Sequence, residues 1–306
     1  MGTAAFAVPS LEALCEAGYP PIAVVTGPDK PRGRGQRLGL TPVKEAAFQR
    51  GLGPILQPED VKDPAFAEAI GDLRPDILVV VAFRILPPAV YTKARLGAIN
   101  LHGSLLPRYR GAAPIHRAVM AGERETGVTT FFLAESVDTG AVILQRSLPI
   151  GPNDTTGEVH DRLMHLGAEA VIDTVRAIAE GTVTQVPQRS DLASAAPKIF
   201  NEDGEIVWSR PAAVVHNQIR GLSPHPGAWT LHGTMRVKVF RSEPVEGSGS
   251  PGEVIETGPR LVVACGDGAV SLLDLQLEGR RRLPADAFVR GYAIACGDRL
   301  GAPGHP

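Results

Sequence analysis

The sequence predicts an α/β fold: a doubly wound, mostly parallel sheet, followed by a second, smaller β-barrel domain. Three observations carry this expectation. Strand-like runs alternate with helical patterns through the first two-thirds of the chain. The run Ile77-Leu78-Val79-Val80-Val81 is apolar at every position, as in a central parallel strand covered on both faces. Short β-rich segments separated by Gly-rich turns fill the last third. At roughly 150 residues per domain, 306 residues accommodate two domains.

Taken in order, strands are expected at Ile22 to Thr26, Ile77 to Ala82, Ala98 to His102 and Val128 to Leu133, with a hairpin-like partner at Val142 to Leu148. Helices are expected to begin at Pro9, Pro42 and Pro114, because proline's missing N–H has no intrahelical partner in a first turn. Thr155 to Ala179 reads as a long amphipathic helix, closed by Gly181. The domain boundaries follow: residues 1–181 form the α/β domain, the polar, Pro-punctuated stretch 182–205 a linker, and residues 206–306 the β-barrel. In that last part Met235 to Arg241, Gly252 to Ile255, Leu261 to Cys265 and Ala269 to Leu275 are the strand candidates.

Composition narrows the function classes. With 43% hydrophobic and 21% charged residues, 34 Gly and 27 Pro, the chain is that of a folded, turn-rich protein. Its longest apolar run, Ile77 to Phe83, is far too short to span a bilayer, and Glu12 and Glu16 interrupt any export signal. No membrane role is expected, and a cytoplasmic location is. Cys15, Cys265 and Cys296 form no even framework and read as reduced thiols. The net charge of −2 makes any nucleic-acid surface local rather than global. Its placement matters more than its sum: residues 206–306 are mildly basic, densest at Arg280-Arg281-Arg282.

The most informative stretch runs from Asn100 to Pro114. In an open α/β sheet ligands bind beyond the carboxyl ends of the strands, and Asn100 and His102 fall at such an end. Side chains alternate along a strand, so this pair shares one side. A carboxamide there can stabilise a developing oxyanion, while an imidazole moves protons. Asp138, in the turn Asp138-Thr139-Gly140 between two strands, supplies a carboxylate to orient or balance the histidine. Taken alone, a strand-end Asn/His pair is more often structural than catalytic.

A second local feature is the run from Pro28 to Gly39. It carries Lys30, Arg32, Arg34 and Arg37 against one Asp. Gly33, Gly35 and Gly39 have the wrong interval for a dinucleotide fingerprint, and a phosphate cradle for NAD or ATP is rejected. A basic, Gly-rich loop suits an RNA backbone, although by composition alone a solvated surface loop explains it equally well. The remaining histidines complete no metal-ligand cluster, and no metal is expected.

Asn100-x-His102, Ser104-Leu105-Leu106-Pro107, Tyr109-Arg110-Gly111-Ala112-Ala113-Pro114-Ile115 and Asp138-Thr139-Gly140 together resemble the signature of the 10-formyl-tetrahydrofolate-dependent formyltransferases. The likeness extends from Phe6-Ala7-Val8-Pro9 at the start through Ile219-Arg220-Gly221-Leu222-Ser223-Pro224 to Leu275-Gln276-Leu277-Glu278-Gly279. It implies a Rossmann-like formyltransferase domain and a C-terminal barrel resembling oligonucleotide-binding folds. It implies that Asn100, His102 and Asp138 are catalytic, with His102 or Asp138 handling the proton, and that Ser104, Leu105, Leu106 and Pro107 contact the folate. It implies that Lys30, Arg32, Arg34 and Arg37 enter the acceptor-stem region of an initiator tRNA. The formyl donor is then 10-formyl-tetrahydrofolate, the acceptor the α-amino group of methionine on initiator tRNA, and the enzyme a monomer.

Three departures from the family accompany the likeness. Relatives usually place a short apolar strand ahead of the Met-Gly-Thr that is residues 1–3 here, so the expectation is a start assigned too far downstream or a shortened chain. The segment Phe83 to Pro87 is one residue shorter than usual, with Arg84 near the expected pterin pocket, and Val207 stands where an Asp is usual. Two rivals follow: the same chemistry on another amine or on water, and an RNA-binding protein without turnover.

Overall fold

The computed structural model describes residues 1–32 and 37–301. These form two compact units: Met1–Pro114, Thr126–Leu148 and His160–Ala196 make the first, and Ile115–Glu125, Pro149–Val159 and Pro197–Pro306 the second. Along the chain come α1 (Val8–Glu16), β1 (Val24–Val25), β2 (Lys30–Arg32), β3 (Arg37–Gly39), α2 (Pro42–Gln49), β4 (Ile55–Leu56), α3 (Pro64–Asp72), β5 (Leu78–Val81), α4 (Pro88–Tyr91) and β6 (Ala98–His102). Next are α5 (Pro114–Met120), β7 (Glu125–Phe132), β8 (Val142–Pro149), α6 (Thr156–Ala179) and α7 (Ala212–Gly221). The last part holds β9 (Ala228–His232), β10 (Met235–Val245), β11 (Val254–Glu256), β12 (Leu261–Ala264), β13 (Ala269–Leu277), β14 (Leu283–Pro284) and α8 (Ala285–Gly291).

In the first unit β5 pairs in parallel with β6, and β6 antiparallel with β7, within a four-stranded sheet of order β5-β6-β7-β8. A separate parallel pair, β1 and β4, lies on the other side of the chain start. Residues 1–3 link the two: Gly2 N donates to Val25 O, and Val81 N to Met1 O. Beside this link is an apolar cavity of about 450 Å³, walled by Leu11, Leu14, Val24, Ile70, Leu78 and Val79, among others. The Met1 amine donates to Val79 O at 2.7 Å, and burial pushes its pKa down to about 5. Val25, Phe66, Ile70, Leu78, Val80 and Val90 form the core on this side of the sheet.

Helix starts follow local chemistry. Thr41 caps α2 by accepting from Lys44 N at 3.1 Å, and Asp63 caps α3 by accepting from Ala65 N at 2.9 Å, each with proline in the first turn. The second of these carries the same cap-and-proline signal, as Asp63-Pro64, yet is absent from the elements expected above. At the start of α6, Thr155 and Glu158 make a reciprocal capping box, Glu158 taking the Thr155 N–H at 2.8 Å. The basic run expected as a loop is in part a β-hairpin, β2 against β3, with Lys30 facing Gly39, Pro31 facing Leu38 and Arg32 facing Arg37.

The stretch expected as a linker is bound to structure on both sides. Val186 pairs with Val142, and Arg110 with Ala195, so residues 182–196 wall the first unit and only 197–205 belong to the second. Its polarity misled because the pairing uses backbone groups, which leave no apolar period in the sequence.

The second unit is an antiparallel sheet of order β11-β12-β13-β10-β9, with β14 also on β13. Register shifts in β10 between Val239 and Ser242 curl it into a half-barrel, as bulges do. Val237, Val239, Leu261, Val270, Leu272 and Leu275 on its inner face pack with Val215, Ile219 and Leu222 of α7 and Phe288 of α8. His216 is buried between Pro152 O, which takes its Nε2–H at 3.0 Å, and the Ser242 hydroxyl at 3.1 Å. Desolvation, opposed by these bonds, lowers its pKa below 6.5.

Two outcomes are expected. A Cβ on Gly127 of β7 would lie 2.2 Å from Arg146 O and 2.5 Å from a Leu105 methyl, so Gly127→Ala should destabilise by about 2–3 kcal/mol in urea unfolding. Because His216 takes up its proton more readily unfolded than folded, stability should fall as pH drops below 6.5. His216→Gln should flatten that slope in unfolding curves at about pH 5.5 and 7.5.

Candidate functional site

The site lies at the carboxyl end of β6. Asn100 stands opposite Val80 of β5 and Phe131 of β7, and His102 opposite Thr129. The ladder therefore fixes both on one strand with neighbours on each side, as expected of ligand-facing positions in an α/β sheet. Asn100 is half-buried, and among the described residues its carboxamide has no hydrogen-bond partner. It is left with donors and an acceptor for a ligand.

His102 is 7% exposed, its Nε2 2.9 Å from the Tyr109 carbonyl. A carbonyl only accepts, so Nε2 carries the proton and Nδ1 is the basic nitrogen of the neutral ring. That nitrogen lies 3.8 Å from Asp138 Oδ2, close enough for Coulombic attraction and too far for a direct hydrogen bond. Asp138 is itself buried, and its Oδ2 accepts from Gly111 N at 2.9 Å. The three residues singled out as catalytic thus come from β6 and the β7–β8 turn, with His102 and Asp138 brought face to face.

Both turns that support this pair contain non-glycine residues with left-handed backbones. Asp138 has φ 55° and Tyr109 φ 61°. Each such residue costs about 1–3 kcal/mol and persists only where its surroundings hold it. Gly140 shows how tightly: a Cβ there would sit 1.7 Å from Phe132 O. Gln188 donates from Nε2 to the carbonyls of Asp138, at 2.9 Å, and Gly140, at 2.8 Å. Nothing in the sequence around Gln188 signals this, since its partners are about 50 positions away.

The loop Ser104 to Pro107 is braced from behind. The Ser104 side chain is fully buried, and its hydroxyl donates to Arg108 O at 2.7 Å. Thr129 Oγ1 donates to Ser104 O at 2.6 Å and accepts from Leu106 N at 3.0 Å, while Gln145 donates to Leu106 O at 2.8 Å. Ser104 and Leu106 are therefore held inward, and Leu105 and Pro107 are the half-buried members of the four. Arg84, expected near the pterin pocket, turns its guanidinium to the carbonyls of Pro58, at 2.6 Å, and Glu59, at 2.8 Å.

In the basic hairpin Lys30 is exposed, Arg32 and Arg37 form its last described ladder pair, and Arg34 lies outside the described residues. Its base is anchored: Lys44 Nζ bonds to Asp29 Oδ2 and Gln57 Oε1, both at 2.5 Å, and Gln57 donates to Gly27 O at 2.8 Å. The Lys44 and Gln57 hydrogen bonds hold the Asp29 carboxyl below its usual pKa.

Comparison with known proteins places the chain in a family. The formyl transferase family matches residues 1–175, and the formyl transferase C-terminal domain residues 198–293. Methionyl-tRNA formyltransferase of Chlorobium phaeovibrioides is 50% identical over 310 residues, covering 99% of this chain and 97% of the relative. That of Moorella thermoacetica is 48% identical over 305 residues, 98% of each chain. Among solved structures, the N-formyltransferase of Helicobacter canadensis, in complex with folinic acid and dTDP-3-aminofucose, superposes with a TM-score of 0.68 at 22% identity, covering 89% of this chain and 96% of that one. At that identity it speaks for the fold. With both domains matched and near-full-length relatives sharing about half its residues, this chain belongs to the formyl transferase family.

Proposed function

We propose that this chain transfers a formyl group from 10-formyl-tetrahydrofolate to the α-amino group of methionine carried by initiator tRNA, in the cytoplasm where translation starts. The observation that carries the reading is the meeting of His102 Nδ1 and Asp138 Oδ2 at 3.8 Å beside Asn100, in a chain about half identical to methionyl-tRNA formyltransferases. The residues present suit a folate formyl donor. Asn100 offers an unused carboxamide, while Leu105, Pro107 and the apolar end of β5 offer a wall for a flat ring. The donor supplies a formyl carbon bound to nitrogen.

The chain's own residues do the rest. An α-amino group titrates near pH 8, so a useful fraction is uncharged and nucleophilic at neutral pH. Asn100 Nδ2 donates to the carbonyl oxygen as negative charge gathers there. The new C–N bond leaves the acceptor nitrogen with a surplus proton, which His102 Nδ1 takes and returns to the nitrogen of the departing group. Asp138, beside that nitrogen, stabilises the imidazolium in between. Lys30, Arg32, Arg34 and Arg37 would meet the RNA backbone, with the mildly basic residues 206–306 as a further tRNA surface.

The test is formyl transfer from 10-formyl-tetrahydrofolate to methionyl initiator tRNA, against a nucleotide-linked amino sugar as competing acceptor. Transfer to the sugar alone would overturn the reading. Asn100→Ala should lower kcat by about 10²–10³ with the thermal unfolding curve unchanged. Arg34→Ala should leave kcat intact, weaken tRNA binding, and reduce the slope of log affinity against log salt by about 0.7–0.9.

A further inference from the structure

Resting on the reading of Asp138 and His102 as catalytic, we propose that Gln188, oriented by Arg110, is the positioning residue that keeps the Asp138 carboxylate in register with His102. Every polar atom of the Gln188 carboxamide has a partner. Its Nε2 bridges the carbonyls of Asp138 and Gly140, and its Oε1 accepts a forked pair from Arg110, Nε at 3.1 Å and Nη2 at 2.7 Å. The orientation has no alternative: a guanidinium only donates, so an amide turned the other way would set NH₂ against donors and its oxygen against two carbonyls.

The bridge acts where the turn most needs it. Asp138 has a left-handed backbone, and Gly140 packs against Phe132 O with no room for a Cβ. Clamping the carbonyls on either side of Thr139 fixes the peptide plane that follows the Asp138 Cα and the far end of the turn that carries it. Arg110 is held in turn, its N–H donating to Ser194 O at 2.8 Å and its carbonyl accepting from Ala196 N at 2.6 Å. The adjacent Gly111 N–H holds the Asp138 carboxylate itself. Arg110 therefore reaches the turn by two routes, through its neighbour's amide and through Gln188.

Removing the bridge should let the carboxylate shift relative to His102 while substrate surfaces stay intact, and shifts of about 1 Å cost up to about 10² in rate. The experiment is a double-mutant cycle of Gln188→Ala and Asp138→Asn, read as kcat and KM for both substrates in the full chain. The expected result is a 10–100-fold loss of kcat in Gln188→Ala with KM within twofold, and no further loss when it is added to Asp138→Asn. Gln188→Glu, the same size and still able to pair with Arg110, cannot donate to the two carbonyls and should show the same kcat loss. It serves where Gln188→Ala does not fold. Independent, multiplying losses, or a change in KM alone, would overturn the proposal. An Asp138→Asn variant with full kcat would instead overturn the catalytic reading on which it rests.

Discussion

Three consecutive residues, Tyr109, Arg110 and Gly111, hold the two ionisable side chains of the site, and the rest of its geometry depends on them. The Tyr109 carbonyl takes the His102 Nε2–H, and the Gly111 N–H serves Asp138. One short turn thereby selects the histidine tautomer and aims the carboxylate at the other ring nitrogen. The turn needs left-handed backbone at Tyr109 and at Gly111, whose φ is 124°. At Gly111 a Cβ would also lie 2.7 Å from Ala196 O, so glycine is required there for both reasons. The segment 194–196 that crowds it also bonds Tyr109 N through Ser194 Oγ at 2.9 Å. What reads in the sequence as a connector is therefore a wall of the site.

This arrangement explains an unequal distribution of rigidity. β6 and the loop after it are tied by backbone ladders, by Thr129 and by Gln145. The carboxamide of Asn100 itself is left unengaged. A donor already aimed and unsatisfied loses little on meeting a growing negative charge, whereas one bonded within the protein would have to break that bond first. The basic hairpin is tied at its base, through Asp29, Lys44 and Gln57, and carries Leu38 at 73% exposure beside its charged residues.

Legibility in the sequence followed the range of the forces involved. β6 spans Ala98–His102, the residues anticipated from its apolar run and polar end, because burial on both faces leaves a local signature. Helices starting at prolines were equally readable, and α3 was missed although Asp63-Pro64 carries the same capping chemistry as Thr41-Pro42. The β2–β3 pairing reads as a loop in the sequence, since Pro31 and the nearby glycines lower strand propensity and the ladder supplies the compensation. The proximity of His102 and Asp138 is legible through their motif, but not the left-handed φ of Asp138. Gln188 left no trace because its role is set by two carbonyls and a guanidinium distant in sequence.

The burial of His102 and Asp138 carries a last consequence. A buried imidazole and carboxylate are poor contributors to stability, since desolvation offsets their attraction unless every lone pair is matched. Here the match is incomplete: among the described residues one backbone N–H serves the carboxylate, and the histidine approaches without closing to hydrogen-bond distance. A pair tuned for folding would close that gap or be replaced by apolar side chains. Left at 3.8 Å, with His102 Nδ1 and the second carboxylate oxygen of Asp138 both unbonded among the described residues, the pair keeps open acceptors for a polar group from outside. The strained turns, the Gln188 bridge and the Arg110 fork are then the means by which an arrangement of little value to the resting fold is maintained.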